Sequence, residues 1–183
     1  MGVEVRNLTY DELEPAWELD RLAFNTPENR RESWLARVDP ERTCGVFEES
    51  RLVAMATALP TGQYFGGRRV TMGGLSSVAV APEARGRGYG SQLVTAMTLA
   101  MRERGEVISA LFPGTTQLYR KLGWELAGAY ALRRIPLHSL RSLPRPPAGR
   151  LRRARPDDLE AMKECYRRLA PQVNGVLDRA AWS

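Results

Sequence analysis

Apolar and polar residues alternate weakly over residues 3–8, and the period then changes, with Leu13, Trp17, Leu19 and Leu22 recurring at helical spacing. The pattern predicts a strand followed by a helix. Thr9 or Asp11 is placed to cap that helix, because a short oxygen-bearing side chain can satisfy N–H groups that the first turn leaves unpaired. Residues 27–35 are charged around an embedded Trp34 and read as either a second short helix or a mobile loop. Two apolar runs, 43–47 and 51–60, flank Glu48-Glu49-Ser50 and predict a hairpin. A turn over 64–69 leads into a long strand at 70–81, which Pro82 ends because proline has no N–H to give to a ladder.

The main helix is predicted from about Gly88 to Arg104, with Gly105 as the residue that stops it. Residues 106–112 (EVISALF) read as a buried strand, 115–122 as a short helix halted by Gly123, and 124–137 as one or two closing strands. Strands and helices alternating around a central strand–turn–helix predict an α/β fold.

Residues 139–155 contain six Arg, three Pro and no acid, and read as a linker. An internal echo follows. Arg6, Asp11, Leu13, Glu14, Glu18 and Arg21 recur 146 residues later as Arg152, Asp157, Leu159, Glu160, Glu164 and Arg167. The expected organisation is a domain over 1–138, an Arg/Pro-rich linker over 139–150, and the start of an incomplete second copy over 151–183. One strand and one helix cannot build a core, so the copy must dock on the first domain, stay mobile or belong to a longer protein.

Charge adds a polarity to this plan. Residues 1–49 carry six Arg against twelve carboxylates, whereas residues 50–138 carry eleven basic side chains against four. An anionic ligand in the middle and a cationic acceptor at the front would suit that division; ordinary surface variation is the alternative. No apolar run of about 18 residues is present, so no membrane span is predicted. Two cysteines far apart and a single histidine, His138, give neither a disulfide framework nor a Cys/His zinc site. A reduced, cytoplasmic, metal-free protein is expected.

The chemistry concentrates at Arg85-Gly86-Arg87-Gly88-Tyr89-Gly90, between the long strand and the main helix. Backbone N–H groups at a helix start lack intrahelical partners, and the helix dipole favours negative charge there. A phosphate-bearing ligand is implied. A P-loop would need a lysine that is absent, and a dinucleotide G-x-G-x-x-G fails at Ser91. What remains is Arg85-x-x-Gly88-x-Gly90 directly after Val-Ala-Val-Ala-Pro, with Leu118-Tyr119-Arg120-Lys121-Leu122-Gly123-Trp124 further on.

These residues resemble the Gcn5-related N-acetyltransferase (GNAT) family, whose coenzyme A turn is [RQ]-x-x-G-x-[GA], over roughly residues 3–135. The wording of residues 74–82, 102–105 and 108–119 is similar to the enhanced-intracellular-survival (Eis) type, which carries two tandem acetyltransferase domains and a sterol-carrier-like domain. The resemblance implies a GNAT acyl-CoA N-acyltransferase fold, with a mixed central sheet flanked by helices. It implies an Eis-like N-acetyltransferase (EC 2.3.1 type), expected here as a truncated member or a fragment. Acetyl-CoA would be the co-substrate and an amine the acceptor, either a small molecule or a lysine side chain.

By the same resemblance Val78 and Val80 would meet the pantetheine arm. Backbone N–H groups of Arg85, Gly86, Arg87, Gly88, Tyr89 and Gly90 would hold the pyrophosphate, and Gly114 and Thr115 would line the far side of the cofactor. Tyr119 would be the general acid toward the thiol, since a phenol with a pKa of about 10 suits that donation. Phe24 and Trp34 would line an acceptor pocket, with Glu28, Glu32 and Asp39 either orienting a cation or lying on a solvated helix face. The base has no candidate in residues 71–77, where many relatives carry a glutamate; in the Eis type a C-terminal carboxylate does this work. A non-catalytic CoA-binding or protein-interaction fragment is therefore the alternative. Residues 141–155 are basic without interleaved aromatics, so a linker is expected there rather than a nucleic-acid site. An oligomer would be expected only of a full-length parent.

Overall fold

The computed structural model describes residues 2–129, 131–144 and 152–179. Strand β1 (Val3–Asn7) leads through a short 3-10 turn into helix α1 (Leu13–Phe24). Glu12 folds back to accept the Thr9 N–H at 2.8 Å, and of the two expected caps it is Thr9 that stands at the start of the helical segment, with Asp11 inside its first turn. Ala16, Trp17, Leu19 and Asp20 form the buried face of α1. Helix α2 (Arg31–Leu35) is one short turn whose Trp34 packs on Trp17, with ring centroids 5.6 Å apart.

Strands β2 (Thr43–Glu48), β3 (Arg51–Phe65) and β4 (Arg68–Val80) form two successive hairpins. Each turns on two residues of positive φ, Glu49-Ser50 and Gly66-Gly67, the geometry that matches the right-handed twist of the flanking strands. Strand β3 runs five residues past the predicted end at 60, because β4 pairs with it all the way to Phe65. Helix α3 (Tyr89–Glu103) then crosses over to β5 (Ile108–Ala110), which joins β4 in parallel. Gly105 (φ +75°) ends α3: its N–H donates to Arg102 and that of Glu106 to Met101, which satisfies carbonyls the last turn leaves free. The sheet is therefore mixed, ordered β1-β2-β3-β4-β5. Burial is continuous through Val53–Ala58, which means both faces of the sheet are covered; α1 and α3 both pack on β3 and β4.

Two features shape the region around the glycine turn. Met55 pairs with Ala79 but Thr57 with Ser76, so Ala56 faces two residues of β4 and the strand bulges at Ser77, which takes a left-handed φ of +51°. And β4 pairs with β5 only over Met72–Gly74, so Leu75–Val80 run on beyond the end of β5. A cleft opens there.

One expected element is absent. Residues 124–129 and 131–136 have no regular structure, and Leu126, Leu132 and Ile135 lie exposed. A strand needs a partner edge and a covered face, and β5 offers an edge of only three residues. Helix α4 (Thr116–Lys121) precedes this stretch and stops before Gly123 (φ +97°) as expected.

The final described segment carries helix α5 (Leu159–Leu169) and strand β6 (Leu177–Asp178). It joins the main sheet: β6 pairs with Gly62 and Gln63 of β3, beyond the point where β2 leaves that edge. Tyr64 N–H donates to Val176 O at 2.9 Å, Gly66 N–H to the Asn174 side chain at 2.8 Å, and Arg69 pairs with Asp178. The sequence echo has a structural counterpart. Arg6 grips Glu12 with two bonds of 2.8 and 2.6 Å, and Arg152 grips Asp158 with two of 2.6 Å. Arg155 N–H donates to Asp158 at 2.7 Å, as Thr9 does to Glu12, and each pair opens onto a helix beginning at a leucine.

Candidate active site

The cleft left by the divergence of β4 and β5 has a volume of about 670 Å³. It runs from the glycine turn, along Ser76, Val78 and Val80, to Tyr119 on α4, with Phe24 at the end of α1 on its wall. Gly86 (φ +78°) and Gly88 (φ +83°) take left-handed conformations that a side chain would strain. A Cβ on either would meet no atom within 4 Å, so both present bare backbone. Gly88 is the N-cap of α3 and its carbonyl accepts from Ser91 and Gln92, so the N–H groups of Tyr89 and Gly90 lie at the open end of the helix, where no earlier turn offers an acceptor. Turn and dipole together form an anion cradle.

Eleven of the residues singled out in the sequence border this cleft: Phe24, Val78, Val80, Arg85, Gly86, Gly88, Tyr89, Gly90, Gly114, Thr115 and Tyr119. Two lie elsewhere. Trp34 is 7% exposed and belongs to the core against Trp17, because a large ring on a one-turn helix is buried most fully under α1. Arg87 is drawn away from the cleft by Glu48, whose carboxylate it meets in a two-pronged ion pair, one contact being 2.7 Å. Tyr89 is buried and donates its hydroxyl to the same carboxylate at 3.2 Å. The Arg87 pairing holds the Glu48 carboxyl below its ordinary range.

Tyr119 is 8% exposed, edge-on to Trp124 with centroids 6.3 Å apart. Burial raises its phenol above the ordinary value, so it stays protonated at neutral pH and keeps a proton to donate.

Glu48 escaped the sequence analysis because it reads as one of two acids in a hairpin turn; only the meeting of that hairpin with α3 gives it a partner. Glu106 escaped as well. The parallel pairing of β5 brings its buried carboxylate beside Gly73 on β4, where Arg42 and Arg104 bind it. It does not line the cleft. Glu28, Glu32 and Asp39 do not line it either, and the lining contains no carboxylate and no histidine among the described residues. Among the described residues no group of three or more His, Cys, Asp or Glu is arranged to hold a metal, and no helix is long and apolar enough to cross a membrane.

Comparison with known proteins places this architecture. The acetyltransferase (GNAT) domain family model matches residues 4–127, and the chain belongs to that family. A GCN5-related N-acetyltransferase from Kribbella flavida is 36% identical, with a TM-score of 0.63, over 67% of this chain and 32% of its own. Eis1 from Mycobacterium abscessus aligns with 97% of this chain and 45% of its own at 22% identity and a TM-score of 0.69. AAC(6')-Iy, solved in complex with the bisubstrate analog CoA-S-monomethyl-acetylneamine, aligns with 74% of this chain and 99% of its own at 16% identity and a TM-score of 0.61. The last two likenesses show the fold alone. The chain spans about a third of the length of the Kribbella relative. Comparison with curated proteins finds no significant match.

Proposed function

We propose that the chain is an acetyl-CoA-dependent N-acetyltransferase domain, of Eis-like organisation, that acts on an amine. The observation that carries this is the cleft itself: it links a backbone anion cradle to a buried, protonated tyrosine along the stretch of β4 that runs past the end of β5. The dimensions and the bare glycines fit a phosphate-bearing ligand with a slender arm. The N–H groups of the Arg85–Gly90 turn would hold the pyrophosphate, and Val78 and Val80 would offer backbone groups to the pantetheine. Gly114 and Thr115 would close the opposite wall.

Acetyl-CoA supplies an activated acyl thioester. Transfer forms an N–C bond and breaks a C–S bond; the amine gives up a proton and the departing thiol takes one. Tyr119 holds the proton for the thiol. Phe24 offers an apolar wall on the acceptor side. A Tyr119→Phe variant should turn over markedly more slowly while binding acetyl-CoA with nearly the same affinity, as checked by thiol release and calorimetry. Equal turnover of the two proteins across pH 6–9 would remove Tyr119 from the role.

The lining without a carboxylate supports a second reading, a CoA-binding domain that does not itself complete the transfer. Calorimetry with acetyl-CoA and thiol release with an amine panel separate the two. Binding without release in any amine favours the second.

The repeated Arg–carboxylate clasps support residues 151–183 as the beginning of a second acetyltransferase-like unit, within the longer organisation that the Eis-type neighbour has. The face of α5 equivalent to the buried face of α1 is uncovered: Met162, Cys165 and Leu169 border an open apolar groove. The counterparts Ala16 and Leu19 are buried under a sheet.

A further inference from the structure

The glycine turn has little to hold it in shape. Gly86 and Gly88 have no side chains to pack, and flexible glycines carry a large ordering cost. A turn that must offer several N–H groups to one ligand binds well only if it is ordered beforehand. Side-chain ties therefore matter. Arg85 Nε donates to Val80 O at 3.3 Å, which fastens the start of the turn to β4. Burial of Tyr89 in the core holds its end, and an acid ties the residues on both sides of Gly88. Glu48, at the end of β2, receives Arg87 through two contacts and the Tyr89 hydroxyl at 3.2 Å. Arg87 also lies over the Tyr89 ring, 5.0 Å from its centroid. These residues flank Gly88, the N-cap of α3.

We propose that Glu48 is a positioning residue for the anion cradle: by gripping Arg87 and Tyr89 on either side of Gly88, it orders in advance the backbone N–H groups that receive phosphate. The inference rests on the acetyl-CoA reading and extends it to a residue on a different hairpin. It makes a prediction of definite sign. A carboxylate beside a polyanion site repels the ligand by simple Coulomb reasoning, so its removal would tighten binding and free Arg87 for phosphate. Positioning demands the opposite.

The test compares wild type with Glu48→Ala, Glu48→Gln and Arg87→Ala. Calorimetry should show acetyl-CoA binding weakened roughly 3- to 10-fold in Glu48→Ala, the cost of reordering one or two side chains and their loop. Binding of acetylpantetheine, which has no pyrophosphate, should be unchanged. Arg87→Ala should weaken acetyl-CoA similarly, and the double variant Glu48→Ala/Arg87→Ala no further, because Glu48 acts mainly through Arg87. Without ligand, amides of residues 86–91 should exchange with deuterium faster in Glu48→Ala. Acetyl-CoA binding that is unchanged or tighter in Glu48→Ala overturns the inference. If that variant does not fold, Glu48→Gln and Arg87→Ala decide by the same criteria. If wild type fails to bind acetyl-CoA, the proposed function falls, and unchanged exchange of residues 86–91 then overturns the positioning role as well.

Discussion

Glu12 illustrates how much a single side chain can do once the fold surrounds it. Its bond to Arg6 pulls the carboxyl down to about 2, well below its ordinary 4.5. A folded value below the unfolded one means the stabilisation is complete above pH 5 and is lost as pH falls from about 4.5 through about 2. Urea unfolding of wild type should therefore show falling stability across that window, and Glu12→Gln should show a shallower fall; equal slopes would count against the linkage. Tyr119 carries the opposite shift by burial alone, so turnover should not decline from its ionisation until well above pH 9. Cys44 behaves similarly: burial pushes its thiol up to about 11, and it should resist alkylation in the native protein while exposed Cys165 reacts at once.

Among the elements, β4 is the most demanding. A Cβ at Gly73 would collide with Met101 Sδ and Glu106 Oε2, where α3 and the ion-paired glutamate press on the strand. Gly73→Ala should cost about 1–3 kcal/mol of stability by overpacking, measured by chemical denaturation, with the Gly86–Gly90 turn left intact. A neutral substitution would mean that Met101 has room to withdraw. Strands β2 to β4 and helices α1 and α3 could be placed from periodicity, because each buries a repeating apolar face large enough to stamp its period on the sequence. The bulge at Ser77 and the short length of β5 carried no such mark. Both arise from pairing, where one strand's register is set by another. For the same reason the apolar run after Trp124 suggested strands that do not form: its residues had the character of strand residues and no edge to join.

At the scale of the whole molecule, two regions differ in how firmly they are held. The sheet and the helices α1 and α3 share one buried core. The segment carrying α5 buries no residue in that helix and is tied to the end of β3 by a handful of backbone and side-chain bonds. Hydrogen exchange in low denaturant should expose amides of residues 159–178 before those of β3 and β4, because opening a unit with little buried apolar surface costs less than unfolding the core. Simultaneous loss of protection would show the segment to be part of the central cooperative unit.

The order of strands and helices from β1 to α4 was legible in the sequence alone, since it depends on local periodicity, while the Arg-x-x-Gly-x-Gly turn and Tyr119 were marked by residues adjacent in the chain that resemble the GNAT pattern. The repeat at an offset of 146 was legible too, as identities in order. Tertiary structure alone decided that β4 and β5 part to open a cleft, that Arg87 serves Glu48 instead of facing that cleft, and that Trp34 belongs to the core. Those outcomes turn on contacts between residues far apart in the chain, and no local pattern encodes which distant partner a charge or a ring will meet.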